Sequence, residues 1–310
     1  MSTEALGLWG IPLAIIAGTL RGSAPFLFVS LGECLTEKSG KINLGLEGTL
    51  LMGAMTAYAV SYLTNSPWLG VLAAGISGMF LGAIHAWLVQ LPKVNDVAVG
   101  IAMIIFGSGL AFFFGKAFIQ PVAPQLPAIQ LGAWSNQPAL QSALKISPLF
   151  LLGIAIAPAM QWFFQSTRWG LFVRAVGDNP TAAKAMGIPV KLVRSICIIL
   201  GSFLAGIGGA YLSLYYPGSW NEKISSGQGL MAVALVIFAR WHPVQCLYAA
   251  LLFGGTQAIG PALQSVGVDS YYYLFNALPY ILTLAVMIFT CSPTRNLIAS
   301  PGALGADNDP

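Results

Sequence analysis

Charged side chains are scarce in this sequence. Lysine, arginine, aspartate and glutamate together make up 8% of its 310 residues, whereas ordinary soluble proteins carry about 25%. Hydrophobic residues make up 56% of the chain, and the mean hydropathy is +0.76. So little charge and so much apolar surface exclude a soluble globular domain.

The sequence also lacks the groupings that metal sites, disulfide frameworks and active sites require. The four cysteines stand singly without a Cys-x-x-Cys pair, and the two histidines, His85 and His242, are far apart. Neither spacing is typical of a metal site or of a disulfide framework. Because no nucleophile–base grouping is evident either, we expect no catalytic residue, no metal and no cofactor. The net charge of +4 forms no basic stripe outside the loops, so we also expect no nucleic-acid partner.

Long apolar runs recur along the whole chain. Most of them approach the length of about 20 residues that a helix needs to cross a bilayer. Many of the 35 glycines lie at small-xxx-small spacing, as in the pairs Gly78/Gly82 and Gly201/Ala205, which suits close packing of helices in lipid. The sequence therefore predicts an all-α, polytopic transmembrane bundle of about nine spans, with eight to ten defensible. The predicted segments are 6–32, 43–63, 68–91, 97–119, 147–165, 194–216, 227–239, 243–264 and 272–290.

Basic residues are concentrated in alternate loops between these segments. One set of loops holds ten of the fourteen lysines and arginines, and the other set holds three. Cytoplasmic loops carry the excess of basic residues, so we expect the N-terminus outside and the C-terminus in the cytoplasm. We further expect one transmembrane domain over residues 1–295 and a short, disordered cytoplasmic tail over residues 296–310.

The stretch 167–194 carries five of the fourteen basic residues. Within it, Asn179 suits a helix N-cap and Pro180 suits the first helical position, while Gly187 suits a left-handed C-terminal cap. The predicted helix, 180–186, has two turns and is marginal in water on its own. Its alanines allow the close approach of another backbone. We interpret it as a helix that packs on a protein partner; a helix lying on the bilayer is the alternative.

Three motifs carry a resemblance to a known family. The segment GLFVRAVGDNPTAAKAMGI (170–188) is similar to the coupling-helix region of ABC importer permeases, which sits on the ATPase subunit. The segment SGKINLGLEG (39–48) resembles the SGxINxGxEG signature of permeases of basic-membrane-protein-type nucleoside importers. Residues 227–255 and LPYILT (278–283) also fit. The resemblance covers residues 20–290 in order and in spacing. Its Glu-Gly ending favours the nucleoside branch over the branched-chain amino acid and ribose branches.

The resemblance implies the permease subunit of an ABC importer in the inner (plasma) membrane that moves nucleosides inward. A separate ATPase subunit would hydrolyse ATP, and the sequence itself contains no GxxxxGK[ST] motif. Besides membrane lipid, the implied partners are this ATPase, a second permease subunit (a hetero- or homodimer) and an extracytoplasmic solute-binding lipoprotein. The ATPase-coupling loop spans about 166–193. The coupling residues that match are Asp178, Asn179, Pro180, Ala182, Ala183, Met186 and Gly187.

Four polar residues on apolar segments are candidates for a substrate pathway, because buried polar groups in lipid are costly and are functional candidates by default. Asn43 and Glu47 lie one helical turn apart at the start of the second segment. Gln228 opens the seventh segment, and Asn276 lies in the last. A structural role stays open for each of them. Glu47 gains from a helix N-terminus without any transport role, and amide side chains also tie helices together.

Two other functions stay open. One is an ABC permease for a different small solute, such as a sugar, a vitamin or a signalling molecule. The other is a secondary transporter or channel that needs no ATPase. Proton relays in such transporters use intramembrane acids, and the sequence offers only Glu47 and Glu33 for this purpose, so the second alternative is the weaker one.

Overall fold

The computed structural model describes residues 10–119, 121–132, 140–141, 144–264, 272–290 and 300–304. As expected, these residues are mainly helical. A short antiparallel ladder in the loop after α4, which the all-α prediction did not include, pairs Ile129 with Ile146. The elements in chain order are α1 (Gly10–Lys38), α2 (Leu46–Thr64), α3 (Pro67–Leu88), α4 (Asp96–Gly115), a 3-10 turn (Lys116–Phe118), β1 (Ile129–Gln130), β2 (Lys145–Ile146), α5 (Pro148–Ser166), α6 (Arg168–Asp178), α7 (Pro180–Ala185), α8 (Val190–Leu214), α9 (Gln228–Phe238), α10 (Pro243–Gln264) and α11 (Tyr272–Thr290).

Six helices within the described residues are long and apolar enough to cross a membrane. They are Ile11–Lys38, Pro67–Leu88, Asp96–Phe118, Pro148–Ser166, Val190–Leu214 and Pro243–Gln264. Helices α2 and α11 coincide with the second and the last predicted segments. Helix α9 has 11 residues and is therefore about 16 Å long, roughly half the thickness of a hydrocarbon core. The chain is thus a polytopic helical membrane protein, and the count of nine spans stays a prediction.

Helix α1 continues to Lys38, six residues beyond the predicted end of the first segment. Its last turns carry Glu33 and Glu37, both buried. The backbone N–H of Asn43 donates to Glu33 Oε1 at 2.8 Å, and the indole N–H of Trp241 donates to Glu37. Because these acidic side chains accept hydrogen bonds from other parts of the fold, they can be buried, and the helix continues through them.

Helix α8 lies against α1, α2 and α3. A Cβ atom on Gly201 of α8 would lie 2.5 Å from the carbonyl oxygen of Gly32 in α1, and one on Gly78 of α3 would lie 2.3 Å from that of Ser202. No side chain fits at such distances, so glycine is what lets these backbones approach. The small-residue spacing in the sequence therefore does serve close helix packing.

Polar contacts gather the lysine- and arginine-rich loops at one end of the bundle. Lys41, after α1, forms an ion pair with Asp96 at the start of α4, with Nζ and Oδ1 2.9 Å apart. Arg194, the fifth residue of α8, donates through Nε to the carbonyl oxygen of Ser39 at 3.2 Å. We call this the basic end. It comprises residues 38–45, 89–96, 166–194 and 239–243.

The described part of the long loop after α4 packs on the opposite end. The hydroxyl of Tyr58 in α2 donates to the carbonyl oxygen of Pro121 at 2.8 Å. The N–H of Leu126 donates to the carbonyl oxygen of Leu214 at 2.9 Å, at the end of α8. These contacts hold this part of the loop across the ends of two helices.

Candidate functional site

Helix α7 has the caps that the sequence predicts. The side chain of Asn179 accepts a hydrogen bond from the backbone N–H of Ala182 at 2.9 Å. Gly187 has a φ of +80°, the left-handed conformation that glycine adopts without a steric cost. Met186 is the C-cap residue, so the predicted helix 180–186 is confirmed to within one residue.

The alanines of α7 do not all face outward. Ala183 is only 2% exposed and belongs to the main hydrophobic cluster of its own chain. Ala182 and Ala185 are exposed, and the Met186 side chain is 81% exposed. The expectation that all three alanines are open to a partner is therefore wrong for Ala183, which anchors α7 instead. Ala182, Ala185 and Met186 form the apolar part of the α7 surface that is open to a partner.

A half-open recess with a volume of about 880 Å³ lies beside α7 at the basic end. Its walls carry three cationic side chains, Lys41, Lys93 and Arg194, and two acidic ones, Asp96 and Asp178. They come from the α1–α2 loop, the α3–α4 loop, the base of α7 and the start of α8. The shape of the recess therefore depends on how four separate parts of the chain are held together.

Part of the C-terminal tail forms a further wall of this recess. In the segment 300–304, the N–H of Ala303 donates to the carbonyl oxygen of Gly177 at 2.8 Å, and the N–H of Leu304 donates to that of Pro301 at 3.1 Å. Pro301 is buried. The expectation of a disordered tail is therefore wrong for these five residues. The other tail residues, 296–299 and 305–310, lie outside the described residues.

A second polar cluster surrounds Glu47 in the first turn of α2. Its carboxylate accepts three hydrogen bonds, from the hydroxyl of Ser225 at 2.5 Å, the N–H of Gly227 at 3.2 Å and the N–H of Gly229 at 2.6 Å. The side chain is only 7% exposed. The first amides of a helix have no partner within the helix and carry a partial positive charge. Glu47 therefore caps α9 from a different helix.

The start of α9 lies inside the bundle. Before it, the indole N–H of Trp220 donates to the carbonyl oxygen of Gly115 at 2.9 Å, at the opposite end of α4. After it, Trp241 contacts Glu37 at the basic end. The non-helical residues before α9 and α9 itself thus cross the bundle together. Irregular backbone at membrane depth is tolerated only where protein or a watery cavity surrounds it, and Glu47 supplies that protein contact.

The other pathway candidates are placed differently. Asn43 is buried, and its Nδ2 donates to the hydroxyl of Ser202 at 3.2 Å, so it ties the start of α2 to α8. Gln228 lies between Gly227 and Gly229, which bind Glu47, and its Oε1 atom is buried with no hydrogen-bond partner in the part of the chain that the structure describes. Asn276 lies in α11, but its side chain is outside the described residues.

The sequence analysis did not predict the residues that donate hydrogen bonds to Glu47. Ser225 and Gly229 carry two of the three hydrogen bonds, and the glycine- and serine-rich run before the short seventh segment was the available signal. It also missed Trp241 as the partner of Glu37, for which the sequence gives no signal.

Comparison with known proteins agrees with this architecture. The family model for the permease component of branched-chain amino acid transport systems matches residues 15–291. The matched region includes the Glu47 cluster, α7 and the helices that carry both.

Three relatives are similar over nearly their whole length. The putative glucose ABC transporter permease protein TsgC13 of Haloferax volcanii is 32% identical, over 94% of this chain and 95% of its own. The guanosine ABC transporter permease protein NupQ of Bacillus subtilis is 30% identical, over 88% and 90%. The nucleoside ABC transporter permease protein NupC of Lactococcus lactis is 28% identical, over the same shares. The chain therefore belongs to the branched-chain amino acid transport system permease family, and it is an integral membrane permease subunit of an ABC transporter.

Proposed function

We propose that this permease moves nucleosides inward across the membrane. The main support for the proposal is the pattern of hydrogen bonds in the Glu47 cluster. Three donors already bind the Glu47 carboxylate, and the polar group of this cluster that lacks a partner among the described residues is the neutral amide oxygen of Gln228. A neutral hydrogen-bonding group suits an uncharged, hydrogen-bonding solute such as a nucleoside, whereas a zwitterionic amino acid would need charged partners.

The relatives support a nucleoside as this solute. Two of them are named as guanosine or nucleoside permeases, and the segment 39–48 carries the nucleoside-importer signature. A sugar is the second candidate, because the relative with 32% identity is named as a putative glucose permease and a sugar is also uncharged. Because a nucleoside and a sugar would both use the same neutral site, the two candidates are separated by measuring the uptake of each.

ATP hydrolysis belongs, in this proposal, to a separate ATPase subunit that binds α7. Support comes from Met186, whose side chain is 81% exposed on a short helix within a stretch rich in lysine and arginine. Met186 also belongs to the segment 170–188, which resembles the coupling-helix region of ABC importer permeases. Movement of the ATPase would reach the spans through Ala183, which anchors α7, and through α6, which packs on α1 and α8.

The proposed arrangement places the basic end in the cytoplasm, with the N-terminus outside, in the inner (plasma) membrane. The excess of lysine and arginine at this end supports that orientation. A solute-binding lipoprotein would then deliver the nucleoside at the opposite end. A second permease subunit, identical or different, would complete the pathway. Residues 1–295 form the permease domain in this scheme.

Uptake into proteoliposomes tests the choice of solute. The vesicles contain this chain, its second permease, the ATPase and the binding lipoprotein, with ATP inside or outside as the ATPase orientation requires. Labelled guanosine, adenosine and uridine are compared with glucose, ribose and leucine. We expect ATP-dependent uptake of the nucleosides, and Gln228→Leu lowers it. Uptake of glucose without nucleosides contradicts the nucleoside assignment, and uptake of leucine contradicts the argument from a neutral site.

A further inference from the structure

We propose that tail residues Ser300–Leu304 act as a strap that holds the base of α7 and so shapes the surface that the ATPase contacts. The part of this inference that concerns the ATPase rests on the proposed function. The docking of the strap itself does not, since it follows from contacts within one chain.

The strap bonds to the residue that positions the cap of α7. Ala303 donates its N–H to the carbonyl oxygen of Gly177 at 2.8 Å, two residues before the N-cap Asn179. From the other side, Gly177 lies so close to α1 that a Cβ atom on it would be 2.1 Å from the carbonyl oxygen of Lys38. The strap and the end of α1 therefore clamp Gly177 between them, and α7 starts from this fixed point.

The strap also meets two other elements at the turn after α1. Gly40 has a φ of +81°, and a Cβ atom there would lie 2.8 Å from the Cβ atom of Ala303, 3.2 Å from the Cα atom of Gly177 and 3.3 Å from Nη2 of Arg194. Three other parts of the chain thus converge on Gly40, which has neither the backbone conformation nor the space for a side chain. Loss of the strap opens one side of this junction.

The strap residues suit a docked segment. Pro301 is buried, and its ring limits the conformational freedom that docking removes. Leu304 packs against the main hydrophobic cluster. A Cβ atom on Gly302 would lie 2.6 Å from the carbonyl oxygen of Asp178, so a larger residue there pushes the strap away from α6. The strap lines the recess beside α7, which makes it part of the same surface as Asn179 and Thr181.

Thiol labelling tests the docking without the ATPase. In a background with Cys291→Ser, single cysteines are introduced as Pro301→Cys and Met186→Cys, and native Cys34, Cys197 and Cys246 are buried. A water-soluble maleimide should modify Pro301→Cys about ten-fold more slowly than Met186→Cys, because the former reacts only when the strap opens locally. Adding Gly302→Val should raise the labelling rate of Pro301→Cys to that of Met186→Cys, because it displaces the strap. Equal rates without Gly302→Val overturn the proposal.

A pair of deletions tests the effect on the ATPase. Removal of residues 300–310 takes away the strap, whereas removal of residues 305–310 leaves it and serves as the matched control. We expect the larger deletion to lower the ATPase recovered with the permease by about five-fold, at the lower end of coupling between sites, and the smaller one to leave it unchanged. Equal recovery in both overturns the proposal. Separately, recovery that survives Met186→Glu shows that the assignment of α7 to the ATPase has failed, while slow labelling of Pro301→Cys would still show a docked strap.

Discussion

The carboxylate of Glu47, in the first turn of α2, accepts a hydrogen bond of 2.6 Å from the N–H of Gly229, in the first turn of α9. Two helices thus begin at the same point inside the bundle, and the charge on one satisfies the free amides of the other. This contact pairs a buried acidic side chain with the buried first amides of a helix, so each removes the energetic cost of burying the other.

Replacement of Glu47 by glutamine should destabilise the protein. The glutamine amide places a donor opposite the donors of Ser225, Gly227 and Gly229, so at least one buried N–H or O–H loses its acceptor. Such a loss costs about 1–3 kcal/mol. We expect a lower melting temperature of the detergent-solubilised protein and reduced uptake. Glu222→Gln, on the exposed loop before α9, is the matched control, and identical melting of the two variants contradicts the capping role.

Replacement of Gly229 by alanine should disrupt the same junction through size alone. A Cβ atom there would lie 2.6 Å from the Cα atom and 2.8 Å from the backbone nitrogen of Glu47, so α2 and α9 must move apart. Overpacking of this kind costs about 1–3 kcal/mol. Gly109→Ala, where no atom lies within 4 Å, should leave expression and melting unchanged. Equal melting of Gly229→Ala and Gly109→Ala would contradict the close contact between α2 and α9.

Replacement of Met186 by glutamate should remove the ATPase from the purified complex. The change places a charge on an exposed apolar side chain, so it alters the proposed contact without disturbing the core. Co-purification of the ATPase measures the effect. Val122→Glu provides the control, because Val122 is 83% exposed on the opposite end. An ATPase that is retained by Met186→Glu and by wild type alike contradicts the assignment of α7.

Replacement of Asn179 by alanine should weaken coupling more than it weakens folding. The change removes the acceptor for the N–H of Ala182, and loss of such a cap costs about 1 kcal/mol of helix stability. The ATP hydrolysed per solute transported is the quantity to measure, and it should rise as α7 frays. Asn179→Asp keeps a capping oxygen and should restore the wild-type ratio. A ratio unchanged in Asn179→Ala shows that the cap does not contribute to coupling.

The sequence predicts well what nearby residues determine. Asn179, Pro180 and Gly187 define α7 because caps depend on the residues at the helix ends. Glycine spacing around Gly201 likewise anticipates close packing, since that packing needs only the absence of side chains. The lysine and arginine pattern groups the loops of the basic end, which the structure then brings together.

Contacts between distant parts of the chain could not be read in this way. The C-terminal end of α1 carries Glu33 and Glu37, and from the sequence these residues are predicted to lie in a loop. The structure keeps them helical and buried, with Asn43 and Trp241 as their hydrogen-bond partners. In α7, three alanines in six residues give no periodic signal, so the burial of Ala183 is invisible in the sequence. The tail has the composition of a disordered end, and only its contact with Gly177 shows that part of it is docked.

The most direct test of the account is uptake of labelled guanosine by proteoliposomes that contain the complete transporter, measured with and without ATP for the wild type and for Met186→Glu. We expect uptake by the wild type that stops without ATP and is lost in Met186→Glu, with Met186→Leu, which keeps an apolar side chain, transporting normally. Uptake by this chain alone, indifferent to ATP and to Met186→Glu, would contradict the account.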